Sequence, residues 1–175
     1  GYHDTNGGGF VAVATAARDA GVRRLVFASS CAVYGSLEGL PKSEASPVAP
    51  ESPYAASKLD NEAWASAFSV LGLPCVGLRY FNVFGPRQDP GGPYGAVIPR
   101  FVSEALAGRP LPVFGDGEQG RDFVSVRDVA MLTRQLSTLV GAGIPLVESV
   151  TALIEQVEKE ELRKTLALVR DRLNE

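Results

Sequence analysis

The chain has little of what metal-binding, disulfide-linked or membrane proteins rely on. Its 175 residues include one histidine, His3, and two cysteines, Cys31 and Cys75, at no spacing typical of metal ligands or of a disulfide framework. We therefore expect no metal site, and free thiols in a reducing cytoplasm. No apolar run approaches the roughly 18–20 residues that span a bilayer. The net charge of −3 argues against a nucleic-acid partner, which calls for a basic surface.

What is present up to about residue 125 is an alternation of helix and strand patterns. Helical spacing follows the capping side chains Asp4, Thr5 and Asn6 and ends at Gly21. Helices are predicted over 10–21, 53–71 and 97–107, strands over 24–29, 76–80, 111–114 and 123–126, and loops over 35–52 and 81–95. This order predicts an α/β fold in which helices cover the faces of a parallel sheet.

From residue 129 onwards the pattern is helical only. Leucines follow helical spacing from Leu132 to Leu139, the run 141–145 (Gly-Ala-Gly-Ile-Pro) interrupts them, and the spacing resumes from Leu146. We therefore expect an all-α tail, a helical hairpin of two or three helices over 129–175, after an α/β domain over 1–128.

Tyr54 and Lys58 lie four residues apart in a predicted helix, so their side chains share one face. Free tyrosine has a pKa of about 10, and a nearby ammonium favours the phenolate, which makes tyrosine a usable base. Ser30 ends a predicted strand, where parallel sheets bind their ligands. The same spacing also occurs by chance, as a surface tyrosine beside a solvated lysine.

Further motifs surround these three residues at ordered spacing. These motifs are 5–10 (TNGGGF), 28–35 (ASSCAVYG), 52–58 (SPYAASK), 78–88 (LRYFNVFGPRQ), 96–99 (AVIP), 113–117 (VFGDG) and 120–123 (GRDF). Through them the chain resembles, from about Asp4 to Asp128, the extended short-chain dehydrogenase/reductases of the NAD-dependent epimerase/dehydratase family. Within that family the resemblance is to bacterial UDP-hexose and UDP-N-acetylhexosamine 4-epimerases. It implies an incomplete Rossmann-like parallel sheet with flanking helices.

The resemblance also implies roles for residues. Tyr54 would be the catalytic base, Ser30 its partner, and Lys58 the ligand of the nicotinamide ribose, so that all three border the cofactor NAD. Thr5 and Phe81 would contact NAD as well. For Thr5 a plain helix cap, and for Phe81 a place in the core, remain alternatives.

A second set of residues would hold the UDP part of a UDP-sugar substrate. The implied contacts are Asn82, Val97, Phe114 and Arg121, with Arg121 on the diphosphate, which suits guanidinium geometry. A core position for Phe114, loop capping for Asn82 and a surface ion pair for Arg121 are the alternatives. Whether two copies of the chain form a homodimer is left open by the sequence.

The positions after Ser30 narrow the reaction type. Related 4,6-dehydratases place an acidic pair there and related decarboxylases a glutamate two residues on, whereas this chain has Cys31 and Ala32. The resemblance therefore implies epimerisation at carbon 4 through a transient keto sugar.

The family's glycine-rich turn, which binds the NAD pyrophosphate, has no counterpart here, because Gly7–Gly9 follow no predicted strand. We therefore interpret the chain as a truncated enzyme with impaired activity. Residues 129–175 resemble instead the cytoplasmic helical domain of the type II secretion F protein. That resemblance implies the alternative function, a helical module that contacts secretion-platform proteins and is fused to an inactive epimerase remnant.

Overall fold

The computed structural model of the chain describes residues 1–91, 96–118, 120–157 and 160–173. The chain forms two compact units, Gly1–Phe81 and Asn82–Glu175. Among the helices of the described residues, none is both long enough and apolar enough to cross a membrane.

The first unit is a two-stranded parallel sheet with two main helices. Its elements are a π-helical stretch (His3–Gly8), α1 (Gly9–Asp19), β1 (Leu25–Ser30), a 3₁₀ turn (Cys31–Tyr34), α2 (Pro53–Val70) and β2 (Cys75–Tyr80). β1 and β2 pair in register, from Leu25 opposite Cys75 to Ser30 opposite Tyr80. These elements confirm the predicted alternation of helix and strand in this part of the chain.

The start of the first helix differs from the prediction. The segment Asp4–Asn6, predicted as a cap, lies inside the π-helical stretch, which continues directly into α1. No side chain caps either of these two helical segments. Asn6 instead donates from its Nδ2 to the Ser57 Oγ on α2, 2.9 Å away. A long-range hydrogen bond has therefore replaced the predicted local one.

Helix α2 begins where the sequence predicts. The Ser52 Oγ accepts a hydrogen bond from the amide of Ala55 at 3.1 Å, and Pro53 occupies the first turn, where its missing N–H costs nothing. The helix ends before Gly72, whose φ of 92° suits glycine. Tyr54 and Lys58 are thereby placed in the first two turns of a well-bounded helix.

A small apolar core joins the helices to one face of the sheet. Ala14 of α1, Phe68 of α2 and Leu73 are buried together, and Leu73 has no exposed surface. On the same side the ring of Phe10 packs edge-on against that of Phe27, with centroids 4.9 Å apart. A Cβ at the position opposite Phe27, Gly77, would lie 2.7 Å from the Phe27 ring. Glycine in β2 therefore makes room for an aromatic side chain in β1.

The second unit holds the other elements: β3 (Asn82–Phe84), α3 (Val97–Leu106), β4 (Phe123–Ser125), α4 (Val126–Gly141), α5 (Leu146–Gln156) and α6 (Glu160–Leu173). β3 and β4 form a second parallel pair, with Asn82 opposite Phe123. The three helices after residue 125 confirm the all-α tail. Val150, Leu153 and Val157 form its buried side.

Two predictions for the second unit are wrong. Residues 82–84 are predicted as loop and form β3, because the distant strand 123–125 pairs with them. Residues 111–114 were predicted as a strand and form none. Pro110 and Pro112 cannot donate to a strand ladder, and the side chains of Val113 and Phe114 are exposed.

Gly35 follows the 3₁₀ turn, and its substitution tests whether the backbone after Ser30 requires glycine at this position. Its φ is 59° and its ψ is −148°, a region in which side chains are strained, and a Cβ there would lie 2.1 Å from the carbonyl oxygen of Ala49. We expect Gly35→Ala to lower the unfolding free energy by about 3 kcal/mol or more, since strain and a backbone clash add.

The matched control is Gly21→Ala. Gly21 has a similar φ of 70° with no atom within 4 Å of its Cβ position, so that only the backbone strain of about 1–2 kcal/mol applies. Urea unfolding followed by the fluorescence of Trp64 measures both variants. Equal losses would show that the close approach to Ala49 is not a constraint.

Candidate functional site

The first part of the candidate site is the carboxyl end of β1. Ser30 is its last residue and is 9 % exposed, and its Oγ accepts a hydrogen bond from the amide of Ala32 at 3.2 Å. This bond starts the 3₁₀ turn that leads the chain away from the sheet. The hydroxyl of Ser30 is thus held at the strand end, where ligands of parallel sheets bind.

Tyr54 and Lys58 approach each other on α2. The Lys58 Nζ lies 5.8 Å from the centroid of the Tyr54 ring and donates to the carbonyl oxygen of Ala28 at 3.0 Å. Partial burial lowers the pKa of Lys58 from its usual value. The ring of Tyr2 packs edge-on against that of Tyr54, with centroids 5.9 Å apart. The structure therefore brings the ammonium to both the tyrosine ring and the end of β1.

The backbone under Tyr54 is held by a short polar chain. The Ser57 Oγ donates to the carbonyl oxygen of Tyr54 at 2.8 Å and accepts from Asn6. Ser57 is buried and Asn6 is half-buried, so that the first turn of α2 is fixed to the π-helical stretch. Neither residue was singled out from the sequence as part of the site.

A second polar cluster lies next to Ser30, around Glu62 of α2 and Arg79 of β2. The guanidinium binds the Glu62 carboxylate through two N–H groups, at 2.9 Å from Nε to Oε1 and 2.7 Å from Nη2 to Oε2. The Ser29 Oγ donates to the same Oε1 at 2.5 Å. Burial works to raise the pKa of Glu62, but the hydrogen bonds from Arg79 and Ser29 outweigh it and hold the pKa below its usual 4.5.

Sequence reasoning also missed Glu62 and Arg79. A signal was present: Arg79 is a cation in an otherwise apolar strand, and such a charge needs a partner. Glu62 lies four residues after Lys58, on the same face of α2. The partner is not local in sequence, however, and only the fold shows which acid it is.

The two remaining residues predicted to contact the cofactor are on the surface of the first unit. Thr5 is exposed within the π-helical stretch, where its side chain caps no helix. Phe81 follows directly after β2 and is 39 % exposed, which argues against a plain core position. Both roles remain predictions.

The residues predicted to bind the nucleotide all lie in the second unit. Asn82 begins β3 and donates from its Nδ2 to the carbonyl oxygen of Asp122 at 3.0 Å, and the Arg121 Nη1 donates to the Gly120 carbonyl oxygen at 2.9 Å. The fold thus brings Asn82 and Arg121 to the start of β4. The hydrogen bond made by Asn82 agrees with loop capping, the alternative given for this residue.

Phe114 and Val97 are the other two nucleotide-binding candidates. Phe114 is 68 % exposed, so a core position is excluded, and the guanidinium of Arg100 lies 5.7 Å from its ring centroid. Val97 begins α3 and is exposed. A contact with a nucleotide remains a prediction for all four residues.

Two family models match the chain. Residues 1–143 match the NAD dependent epimerase/dehydratase family, and residues 132–175 match protein F of the type II secretion system. The two matches overlap within α4 and the turn that follows it.

Individual relatives agree with the first match. A UDP-glucose 4-epimerase of Mycolicibacterium smegmatis is 46% identical over 123 residues, 69% of this chain and 39% of the relative. Among solved structures, a UDP-N-acetylglucosamine 4-epimerase from Methanobrevibacter ruminantium superposes with a TM-score of 0.73 at 41% identity, over 76% of this chain and 43% of that one. A dTDP-glucose 4,6-dehydratase from Bacillus anthracis in complex with NAD superposes with a TM-score of 0.65 at 34% identity, over 73% and 41%. The chain thus spans less than half the length of each of these relatives.

The Glu62–Arg79 pair predicts a pH dependence of stability. Because the pKa of Glu62 is lowered by folding, its stabilising contribution is full above the unfolded pKa of about 4.5 and is lost as the pH falls through the folded value. We expect Glu62→Gln to be less stable than the native chain at about pH 7, and the difference to shrink towards about pH 3. Urea unfolding across this range measures both.

Glu38→Gln is the matched control, since Glu38 is an exposed carboxylate in the 35–52 loop. Its curve should follow that of the native chain throughout. A Glu62→Gln curve parallel to the native one would show that this carboxylate does not titrate with folding.

Proposed function

This chain belongs to the NAD dependent epimerase/dehydratase family, and we propose that it carries the acid–base centre of a nucleotide-sugar 4-epimerase acting on a UDP-sugar. The observation that carries the proposal is the position of Lys58, whose ammonium lies against both the Tyr54 ring and the carbonyl of Ala28 near the end of β1. Ser30 ends that same strand. The three groups that the chemistry needs are therefore supplied by one strand end and one helix.

The family is NAD-dependent, and the residues present fit the nicotinamide-ribose end of that cofactor. An ammonium carries three donors, of which the bond to Ala28 uses one, so that Lys58 has the chemistry to bind ribose hydroxyls. When bound, NAD supplies the hydride acceptor and returns the hydride. The glycine-rich phosphate-binding turn has no counterpart among the residues of this chain.

Proton transfer is the step of the reaction that the chain's own residues carry out. Tyr54 is the proposed base, and it takes the proton of the sugar 4-hydroxyl as carbon 4 is oxidised. The phenol then returns that proton when the keto group is reduced. Ser30 holds the reacting oxygen by a hydrogen bond from its hydroxyl.

Epimerisation is favoured over elimination by the residues that follow Ser30. Elimination needs an acid and a base near carbons 5 and 6 of the sugar. Cys31 is half-buried, and burial raises the pKa of its thiol, while Ala32 has no ionisable group. The family resemblance supports Asn82, Val97, Phe114 and Arg121 as the residues proposed to contact the nucleotide.

Two variants test this function in the intact chain. We expect calorimetry to detect NAD binding, and Lys58→Ala to weaken it about tenfold, since a charged hydrogen-bond donor is lost. Lys42→Ala is the control, because Lys42 donates to the backbone carbonyls of Leu37 and Glu38 within its own loop. Tyr54→Phe should keep NAD affinity and lower the conversion of a UDP-hexose about a hundredfold or more.

These two measurements distinguish a working enzyme from a chain that only shares the family's sequence. Unchanged conversion by Tyr54→Phe would overturn the assignment of the base. No NAD binding by the native chain would show that the acid–base centre is present without a working cofactor site, and would reject the enzyme proposal for this chain.

The match of residues 132–175 favours a second candidate function, a helical interaction module. In this reading α4–α6 contact components of a secretion platform, and the α/β part is an inactive remnant. Pull-down of purified secretion-platform proteins by the chain, lost when 131–175 are deleted, is the expected result. Retention by the deleted chain would reject it.

A further inference from the structure

We propose that the Glu62–Arg79 ion pair is the positioning element of the Ser30 hydroxyl, acting through the end of β1 and through the loop 35–52. Its catalytic meaning rests on the proposed function, in which Ser30 holds the reacting oxygen. The effect of the ion pair on the position of Ser30 does not depend on that function and can be tested without it.

The first connection is along β1. Ser29 is 3 % exposed and lies opposite Arg79 in the parallel register, and its hydroxyl donates to the Glu62 carboxylate that Arg79 also binds. One carboxylate thus accepts hydrogen bonds from two adjacent strands and belongs to the helix that carries Tyr54. Ser30 is the next residue of the strand, so fixing Ser29 fixes where the backbone of Ser30 lies relative to α2.

The second connection is through the loop. The Arg79 guanidinium lies 4.8 Å from the centroid of the Tyr34 ring, and its Nη1 is 3.5 Å from the carbonyl oxygen of Glu44. The Tyr34 hydroxyl donates to the neighbouring carbonyl oxygen of Ser43 at 3.0 Å. The middle of the loop is therefore attached to the ion pair directly at the Glu44 carbonyl group and, through Tyr34, at the Ser43 carbonyl group.

This loop joins the two catalytic side chains along the sequence. It leaves the 3₁₀ turn that Ser30 starts, and it ends at Ser52, which caps the helix of Tyr54. Its return is fixed by the amide of Ala49, which donates to the Val33 carbonyl oxygen at 2.9 Å. A fixed loop therefore restricts both the 3₁₀ turn after Ser30 and the start of the helix that carries Tyr54.

The chemistry of the pair suits positioning better than stabilisation. The side chains of Arg79 and Glu62 are 22 % and 19 % exposed, so desolvation offsets much of their attraction. A bidentate guanidinium–carboxylate contact nevertheless has a narrow geometry, which a lysine or a single hydrogen bond does not reproduce. A pair of this kind contributes more to one fixed arrangement than to the free energy of unfolding.

Amide hydrogen exchange in the intact chain tests this without cofactor or substrate. The amide of Ala32 reports on the Ser30 Oγ, that of Ala49 on the loop, and that of Leu73, bonded to the Phe68 carbonyl oxygen at 2.9 Å, on unfolding of the whole unit. We expect Glu62→Gln and Arg79→Lys each to speed exchange at Ala32 and Ala49 about tenfold relative to Leu73. The double variant should be no worse than the more severe single one, because the two residues act as a unit.

Glu104→Gln is the matched control, since it breaks an exposed pair with Arg109 and should change none of the three amides. Equal acceleration at all three amides in Glu62→Gln would mean that the pair is merely stabilising and would overturn the proposal. So would faster exchange at Ala49 with Ala32 unchanged.

A kinetic readout links the positioning to catalysis. If the chain converts a UDP-hexose, Glu62→Gln should lower kcat about tenfold with KM unchanged, because only the alignment of Ser30 is altered. An unchanged kcat together with the expected exchange pattern would reject the catalytic meaning of the positioning and leave the acid–base role of Tyr54 intact.

Discussion

The in-register parallel pairing of β1 with β2 is the constraint on which the first unit depends. It places Phe27 opposite Gly77 and Ser29 opposite Arg79, so the same ladder defines both the aromatic packing and the polar cluster. A slip by one residue would turn every side chain of one strand to the other face. The ring of Phe27 would then lose its glycine, and Arg79 its carboxylate. The apolar and the ionic contacts thus specify one register together.

Elements with strong local signals could be predicted from the sequence. The apolar run of β1, and Ser52 and Pro53 at the start of α2, act within a few residues, so their consequences can be predicted without knowledge of the fold. The strand β3 could not be predicted, because three residues carry no periodicity and the pairing partner is distant. The strand predicted over 111–114 is wrong for a different reason: Pro112 within this apolar segment and Pro110 just before it cannot donate to a strand ladder.

The candidate site likewise contains residues that local sequence signals predict and residues that only the fold reveals. Ser30, Tyr54 and Lys58 can be proposed from the sequence because their spacing and surrounding motifs are local. The structure adds the contact that this spacing does not specify, the bond from Lys58 to the Ala28 carbonyl, 30 residues earlier in the chain. Glu62 and Arg79 were missed because their meaning depends on β2 lying beside β1. Residues proposed for the chemistry are thus easier to predict from the sequence than the residues that hold them in place.

Helix α4 shows how one element can belong to two sequence patterns. The two family matches overlap at 132–143, and α4 continues unbroken across the start of that overlap. Val129, Leu132, Leu136 and Leu139 form a half-buried stripe at helical spacing, and α4 contacts β3, β4 and α5. A helix that keeps such a stripe can pack one end against strands and the other against helices, because packing depends on the stripe more than on the identity of each residue. The domain border that we propose near residue 128 therefore requires no break in the backbone, and both patterns can meet within α4.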